Sequence, residues 1–231
     1  MTIANNLAAV HRRIADAPKL TPTQTVILLA VSKTFPADAV REAAAAGQRA
    51  FGENYVQEGV EKIKALADLS LEWHFIGPLQ SNKTALVAQY FDWVHSIDRL
   101  KIAERLSNAR CQHPRPLQIC IQVNTSGETS KSGVLPEAVE PLARAITALP
   151  HLTLRGLMTI QEPTDDITLL RQRFRSLKTQ LDALNRAGYS LDTLSMGMSD
   201  DLEAAIAEGS TLVRVGSAIF GYRPRKLPQA K

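Results

Sequence analysis

The residues best suited to covalent chemistry in this chain are one lysine, two serine-bearing turns and one arginine. Lys33 ends the apolar run Val26-Ile27-Leu28-Leu29-Ala30-Val31-Ser32. Such a run suits a strand buried on both faces, as in a parallel sheet. Period-two alternation puts Lys33 on the same face as Val31, Leu29 and Ile27. If that face looks into the core, the amine stands at the mouth of the core, where burial lowers its pKa and frees it as a nucleophile. The plainer alternative is a solvated lysine that ends the strand. Further on, Ser195-Met196-Gly197-Met198-Ser199 and Gly216-Ser217 each end a strand and open a helix. Both turns offer backbone N–H groups and a hydroxyl at the positive end of a helix, which is what an anion needs. Against this, Ser199 beside Asp200-Asp201 also reads as a simple N-cap. Arg214 interrupts the apolar strand Leu212-Val213-Arg214-Val215-Gly216. A buried arginine needs a partner, either an ion pair with a neighbouring strand or a ligand heteroatom.

The elements that must hold these residues alternate regularly. Residues 2–16 put Ile3, Leu7, Val10 and Ile14 on one helical face and read as an extra N-terminal helix. Strands are expected at residues 26–33, 50–52, 72–77, 92–97, 117–124, 154–160, 193–196 and 211–215. Helices are expected between them, at about 37–47, 53–68, 81–90, 98–110, 136–149, 165–187 and 200–208, with a last short one from Ser217 to Phe220. Ser81 and Asp98 are the expected caps of two of these helices, and Asp165-Asp166 place negative charge at the start of another. Strand–helix alternation implies a parallel sheet. Eight such units imply a single (β/α)₈ TIM-type barrel. An open doubly wound sheet would usually carry a glycine-rich first turn, and here that turn is Lys33-Thr34-Phe35-Pro36. A barrel keeps its site at the C-terminal ends of its strands, with phosphate often bound after strands seven and eight. Lys33, Ser199, Gly216 and Ser217 fall at such ends.

Composition narrows the classes. The 231 residues are 45% hydrophobic and 22% charged, with a net charge of +4 and no basic block, so a nucleic-acid partner is not expected. The two cysteines, Cys111 and Cys120, lack metal-ligand spacing, so free thiols in a reducing cytoplasm are expected. No signal-like or membrane-length apolar run occurs. No unused apolar stripe is evident, so a monomer is expected. An amine able to form a Schiff base, a phosphate cradle and a buried arginine together describe a pyridoxal 5′-phosphate (PLP) site.

The chain resembles the YggS/PROSC-type pyridoxal phosphate homeostasis proteins. The resemblance is carried by Ala30-Val31-Ser32-Lys33-Thr34, Phe51-Gly52-Glu53-Asn54-Tyr55-Val56-Gln57-Glu58, Trp73-His74-Phe75-Ile76-Gly77 with Leu79-Gln80-Ser81-Asn82-Lys83, and Val123-Asn124 with Glu128 and Ser130-Lys131-Ser132-Gly133. It continues through Gly156-Leu157-Met158-Thr159, Ser195-Met196-Gly197-Met198-Ser199-Asp200-Asp201 and Val213-Arg214-Val215-Gly216-Ser217-Ala218-Ile219-Phe220-Gly221. Ser217 stands where that family often has threonine, and the hydroxyl is kept. The resemblance implies a barrel like the N-terminal domain of alanine racemase, with one PLP-binding domain over residues 1–231 and a tail at 222–231. It implies an aldimine on Lys33, Arg214 facing the pyridine nitrogen, and Ser199, Gly216 and Ser217 on the phosphate. Asn54 and Met158 would lie near the ring, and Lys83 on the rim is a candidate transient second site.

Two roles are weighed. One is an amino-acid racemase. The other is PLP storage and delivery, with apo PLP-dependent enzymes as recipients and effects on amino-acid and keto-acid pools. An arginine at the pyridine nitrogen weakens the electron sink, although the racemases share it. Racemisation also needs a second acid/base, which in alanine-racemase-like enzymes comes from an added β-domain. The sequence ends ten residues after Gly221, so no such domain is expected, and the carrier role is favoured.

Overall fold

Eight parallel strands close into a barrel in chain order, β8 pairing back onto β1. The structure is a computed structural model and describes residues 2–126 and 132–221. A first helix, α1 (Ile3–Asp16), precedes β1 (Ile27–Val31), α2 (Ala37–Ala45), β2 (Ala50–Glu53), α3 (Val56–Ala65) and β3 (Glu72–Phe75). Then come α4 (Thr84–Tyr90), β4 (Trp93–Ile97), α5 (Leu100–Arg110), β5 (Leu117–Gln122), α6 (Val139–Thr147) and β6 (Leu152–Met158). The chain closes through α7 (Ile167–Arg186), β7 (Thr193–Ser195), α8 (Leu202–Ala207), β8 (Leu212–Val215) and α9 (Ser217–Phe220). The expected (β/α)₈ barrel with an added N-terminal helix is thus the fold. Among the described residues, no helix is long and apolar enough to cross a membrane.

The alternation along β1 explains how the barrel separates two interiors. Leu28 and Ala30 join the large core between strands and helices, where Phe51, Phe75, Phe91 and Phe174 are also buried. Leu29 and Val31 point the other way and meet Ile76 and Leu212 inside the barrel. A second inner cluster is Trp93, Cys120 and Met158. Each large apolar side chain sealed in this way stabilises the fold by roughly 1.5–3 kcal/mol. The face that carries Lys33 is therefore the inner one.

Helix ends follow their sequence signals only in part. The Thr2 hydroxyl accepts from the Asn5 N–H and starts α1, whose Leu7, Val10 and Ile14 are buried against the body. Asp166 caps α7 by accepting from Thr168 and Leu169 N–H at 2.9 and 3.0 Å. Ser81 and Asp98 cap nothing. The Ser81 carbonyl instead accepts from the Thr84 hydroxyl in a tight 3₁₀ turn before α4, and Asp98 pairs with Arg99. Two strand expectations shift. β6 lies two residues earlier than expected, where Gly156 lets the strand press against the Thr193 backbone: a Cβ there would stand 1.8 Å from the Thr193 oxygen. Glu53, expected to start a helix, ends β2 opposite Phe75, because Lys62 meets its carboxylate underground. Glu128, Lys131 and the tail at 222–231 lie outside the described residues. Cys111 is exposed and Cys120 buried, and both are free thiols.

Candidate functional site

The C-terminal ends of the strands surround a cleft of about 510 Å³, within the roughly 300–1,000 Å³ usual for small-molecule sites. Val31, Ile76 and Ile160 supply apolar wall, while Lys33, Asn54, Ser199, Arg214 and Ser217 supply polar groups. Gly216 lines it as well. Every candidate for the cofactor site itself is brought to this cleft except Met158. That side chain is fully buried below the floor, against Trp93 and Cys120. The strand ends at Met158 itself, and Ile160, two residues further on, lines the wall. Asn82 and Lys83 sit in the 3₁₀ turn before α4 and do not line the cleft. Trp73 packs outward against Phe51.

Lys33 follows β1 by two residues, in a turn gripped on both sides. The Phe35 N–H donates to the Ser32 carbonyl at 3.1 Å and closes the turn. Thr34 has φ +68°, a left-handed conformation that costs a β-branched residue free energy. What holds it is a buried ionic cluster. The Thr34 N–H donates to Glu58 at 2.5 Å. Lys62 Nζ donates to the Ser32 carbonyl, Glu53 and Glu58 at 2.7, 2.7 and 2.6 Å. The Ser32 hydroxyl donates to Glu53 at 2.6 Å. Burial raises the Glu53 pKa, with Lys62 and the Ser32 hydroxyl pulling the other way. The neighbours of Lys33 in sequence are thus anchored to α3 and β2, and its amine is presented to the cleft. Sequence reading missed this clamp, although the Glu58/Lys62 spacing of four on a helix was its visible half.

Among the described residues, no carboxylate is hydrogen-bonded to Arg214. Its Nη1 donates to the Ser195 carbonyl and hydroxyl at 2.6 and 2.8 Å, and its Nη2 to the Thr159 carbonyl at 2.8 Å. The expected alternative of an ion pair with a neighbouring strand is therefore replaced by neutral acceptors on and after the two preceding strands. Burial pulls its pKa down to about 10, with the Asp201 charge opposing, so the guanidinium stays charged at neutral pH. A fixed cation with only neutral partners, at the edge of a cleft, suits a ligand lone pair.

The two turns after β7 and β8 converge. Gly197 takes φ +96°, open to glycine at little cost, and Asp201 closes the turn by accepting the Met198 N–H. Asp201, not Ser199, occupies the N-cap position of α8, so the plain capping alternative for Ser199 falls away. The Ser217 hydroxyl donates to the Ser199 hydroxyl at 3.2 Å. Gly216 stands at the N-cap of α9, and a Cβ there would press on the Val31 carbonyl at 3.2 Å. Arg13 of α1 braces this wall, donating to the Ser199 carbonyl at 2.9 Å and pairing with Glu203 at 2.7 Å. Opposite, Asn54 Oδ1 is buried without a hydrogen-bond partner. Gly77 lets the Asn54 backbone approach, since a Cβ there would stand 2.1 Å from its oxygen. An unpaired buried acceptor at a cleft wall is costly unless a ligand donor meets it.

The family model described as alanine racemase, N-terminal domain, matches residues 5–224. A pyridoxal phosphate homeostasis protein of Pseudomonas aeruginosa is 57% identical over 229 residues, covering 98% of each chain. One of Escherichia coli K12 is 52% identical over 226 residues, covering 96% of this chain and 97% of its own. Among solved structures, PipY of Synechococcus elongatus with PLP bound superposes with a TM-score of 0.84 at 38% identity, over 95% of this chain and all of its own. Alanine racemase of Corynebacterium glutamicum shares the fold, with a TM-score of 0.72 at 18% identity, and this chain spans 62% of it. With lysine, arginine and paired serines gathered at the mouth of such a barrel, the chain belongs to the pyridoxal phosphate homeostasis proteins of the alanine racemase N-terminal-domain family.

Proposed function

We propose that this protein binds PLP in the cleft at the mouth of the barrel, holds it covalently through Lys33, and stores and releases it in the cytoplasm. The observation that carries this reading is the convergence of Lys33, Arg214, Ser199 and Ser217 on one cleft. The residues fit the group. The Ser199 and Ser217 hydroxyls and the first N–H groups of α9 would hold the phosphate. Arg214 donates only, so it would meet the unprotonated pyridine nitrogen. The partnerless Asn54 Oδ1 would take a donor on the ring side. Met158 lies beneath the floor and would act by packing rather than by contact.

Bound PLP supplies an aldehyde that an amine can attack and a ring that can accept electrons. Arg214 keeps a positive charge at the nitrogen end and so disfavours a proton there, which weakens that electron sink. The residues around the cleft bind and orient. The relatives named pyridoxal phosphate homeostasis proteins support a carrier rather than a racemase. Recipients would be apo PLP-dependent enzymes, with a monomer as the working unit.

The test is the visible spectrum of purified protein, then borohydride reduction and peptide mapping. A yellow protein labelled on Lys33, with the label lost in Lys33→Ala, is the expected result. A protein that stays colourless after incubation with PLP would overturn the cofactor reading. Substantial racemase turnover that disappears in Lys33→Ala would overturn the carrier role.

A further inference from the structure

Below Arg214, a file of polar side chains runs through the barrel to its opposite end. The Ser195 hydroxyl, which accepts from Arg214 at 2.8 Å, lies 2.8 Å from His95 Nδ1. His95 Nε2 lies 2.9 Å from His74 Nδ1, and His74 Nε2 lies 2.6 Å from a Glu72 oxygen. Ser195, His95, His74 and Arg214 are all buried, whereas Glu72 is half exposed in a second cleft at the base of the barrel. The Trp93 ring stacks on His74 at 5.2 Å and helps to fix the imidazole plane.

With both imidazoles neutral, the chemistry of the two ends sets the protons between them. A carboxylate only accepts, so His74 carries its proton on Nε2 and offers a lone pair at Nδ1. His95 must then donate from Nε2 and offer a lone pair at Nδ1. The Ser195 hydroxyl donates into that lone pair and keeps its own oxygen free for Arg214, which only donates. Each of the four contacts then receives one proton. Burial, with the Arg214 charge adding repulsion, holds His95 well below the ordinary histidine value, in keeping with a neutral imidazole there.

We propose that Glu72 sets the proton order of this relay, and that Glu72, His74, His95 and Ser195 are positioning residues for Arg214, so that a change at the base of the barrel is read at the mouth. In the opposite order His95 donates to Ser195, whose oxygen then serves two donors and holds Arg214 less firmly. The groups that face the relay are Arg155 of β6, with Asp92, Arg49, Arg110 and Arg115 lining the basal cleft, and Cys120 and Asp201 toward Arg214. The link to PLP rests on the function proposed above. The relay itself does not.

The experiment uses histidine-selective ¹⁵N labelling of the full chain, first without cofactor. Nε2–H tautomers at both His74 and His95 are expected at neutral pH, and Glu72→Ala should mix or reverse them. Arg115→Ala, in the same basal cleft but outside the relay, should leave them unchanged. Opposite tautomers in the wild type, or no change in Glu72→Ala, would overturn the proton order. PLP release is then timed by absorbance in loaded protein. Glu72→Ala should speed it by about three- to tenfold, the usual range for remote coupling, and Glu72→Gln by less, because its amide oxygen still accepts. Shifted tautomers with unchanged release would overturn the coupling to Arg214. Failure of PLP to load at all would count against the cofactor reading and leave the tautomer result standing.

Discussion

Two buried polar networks hold the two ends of the cleft, and they are built on opposite principles. The clamp beside Lys33 is ionic: Lys62 faces Glu53 and Glu58, and both Lys62 and Glu53 are almost sealed from water. The relay beneath Arg214 is made of neutral groups between one cation and one half-exposed carboxylate. The clamp tethers a turn that must keep a strained Thr34 in place, and full charges at short range supply the grip. The relay must keep a guanidinium charged in a buried setting without neutralising it. A carboxylate hydrogen-bonded directly to Arg214 would cancel the charge it offers to a ligand, whereas hydroxyl and carbonyl acceptors orient it and leave the charge in place. Position thus comes from ion pairs where charge is not needed for binding, and from neutral dipoles where it is.

The sharpest break in this contrast is Lys62→Met. It leaves the Glu53 carboxylate buried with only the Ser32 hydroxyl, and removal of one partner of a buried pair costs about 3–5 kcal/mol. Urea denaturation should read that loss, and a Lys62→Met/Glu53→Gln double variant should regain much of it. Near wild-type stability in the single variant would mean that the clamp is not what holds the turn.

A smaller effect is expected from Ser195→Ala. Arg214 keeps the Ser195 and Thr159 carbonyls, and His95 loses one neutral partner. The cost should be about 1–3 kcal/mol, again by urea denaturation, and below that of Lys62→Met. An equal or larger loss would erase the distinction between the two networks.

The smallest effect is one of sign. Burial lifts the Glu53 pKa above the ordinary 4.5, so its contribution to stability is full below that value and is lost as pH rises through the lifted one. The hydrogen bond from His74 lowers the Glu72 pKa against the opposing effect of burial, so its contribution is present above 4.5 and is lost as pH falls through the lowered value. Urea midpoints of wild type, Glu53→Gln and Glu72→Gln between about pH 3 and 6 check this. The wild-type-minus-variant difference should fall with rising pH for Glu53 and climb for Glu72. The Glu72 slope should be the shallower, since solvent screens that carboxylate. Slopes of the same sign would show that the two carboxylates share one environment.

What could be read in the sequence was whatever is encoded locally. Apolar runs separated by amphipathic helices gave the strand count, and the barrel followed from that count. The end of each strand then named Lys33, Ser199, Gly216 and Ser217, because a barrel gathers strand ends whatever its loops do. Arg214 stood out as a charge inside an apolar strand. Boundaries were less legible: Glu53 belongs to a strand, and β6 starts early, because Lys62 and the Thr193 backbone decide those limits from other elements. Met158, named through the resemblance alone, packs against Trp93 and Cys120. The clamp and the relay were invisible for a stronger reason. Ser195 and His95 are separated by one hundred residues, and Ser32 and Lys62 by thirty, so no local pattern relates them. The sequence by itself determined the fold class, which residues of β1 share a face and most of the residues at the mouth, since those follow from periodicity along each strand. Only the tertiary structure decided what Arg214 and the Lys33 turn lean on, since closure of the barrel brings distant strands to hydrogen-bonding distance and burial then makes each of those contacts obligatory.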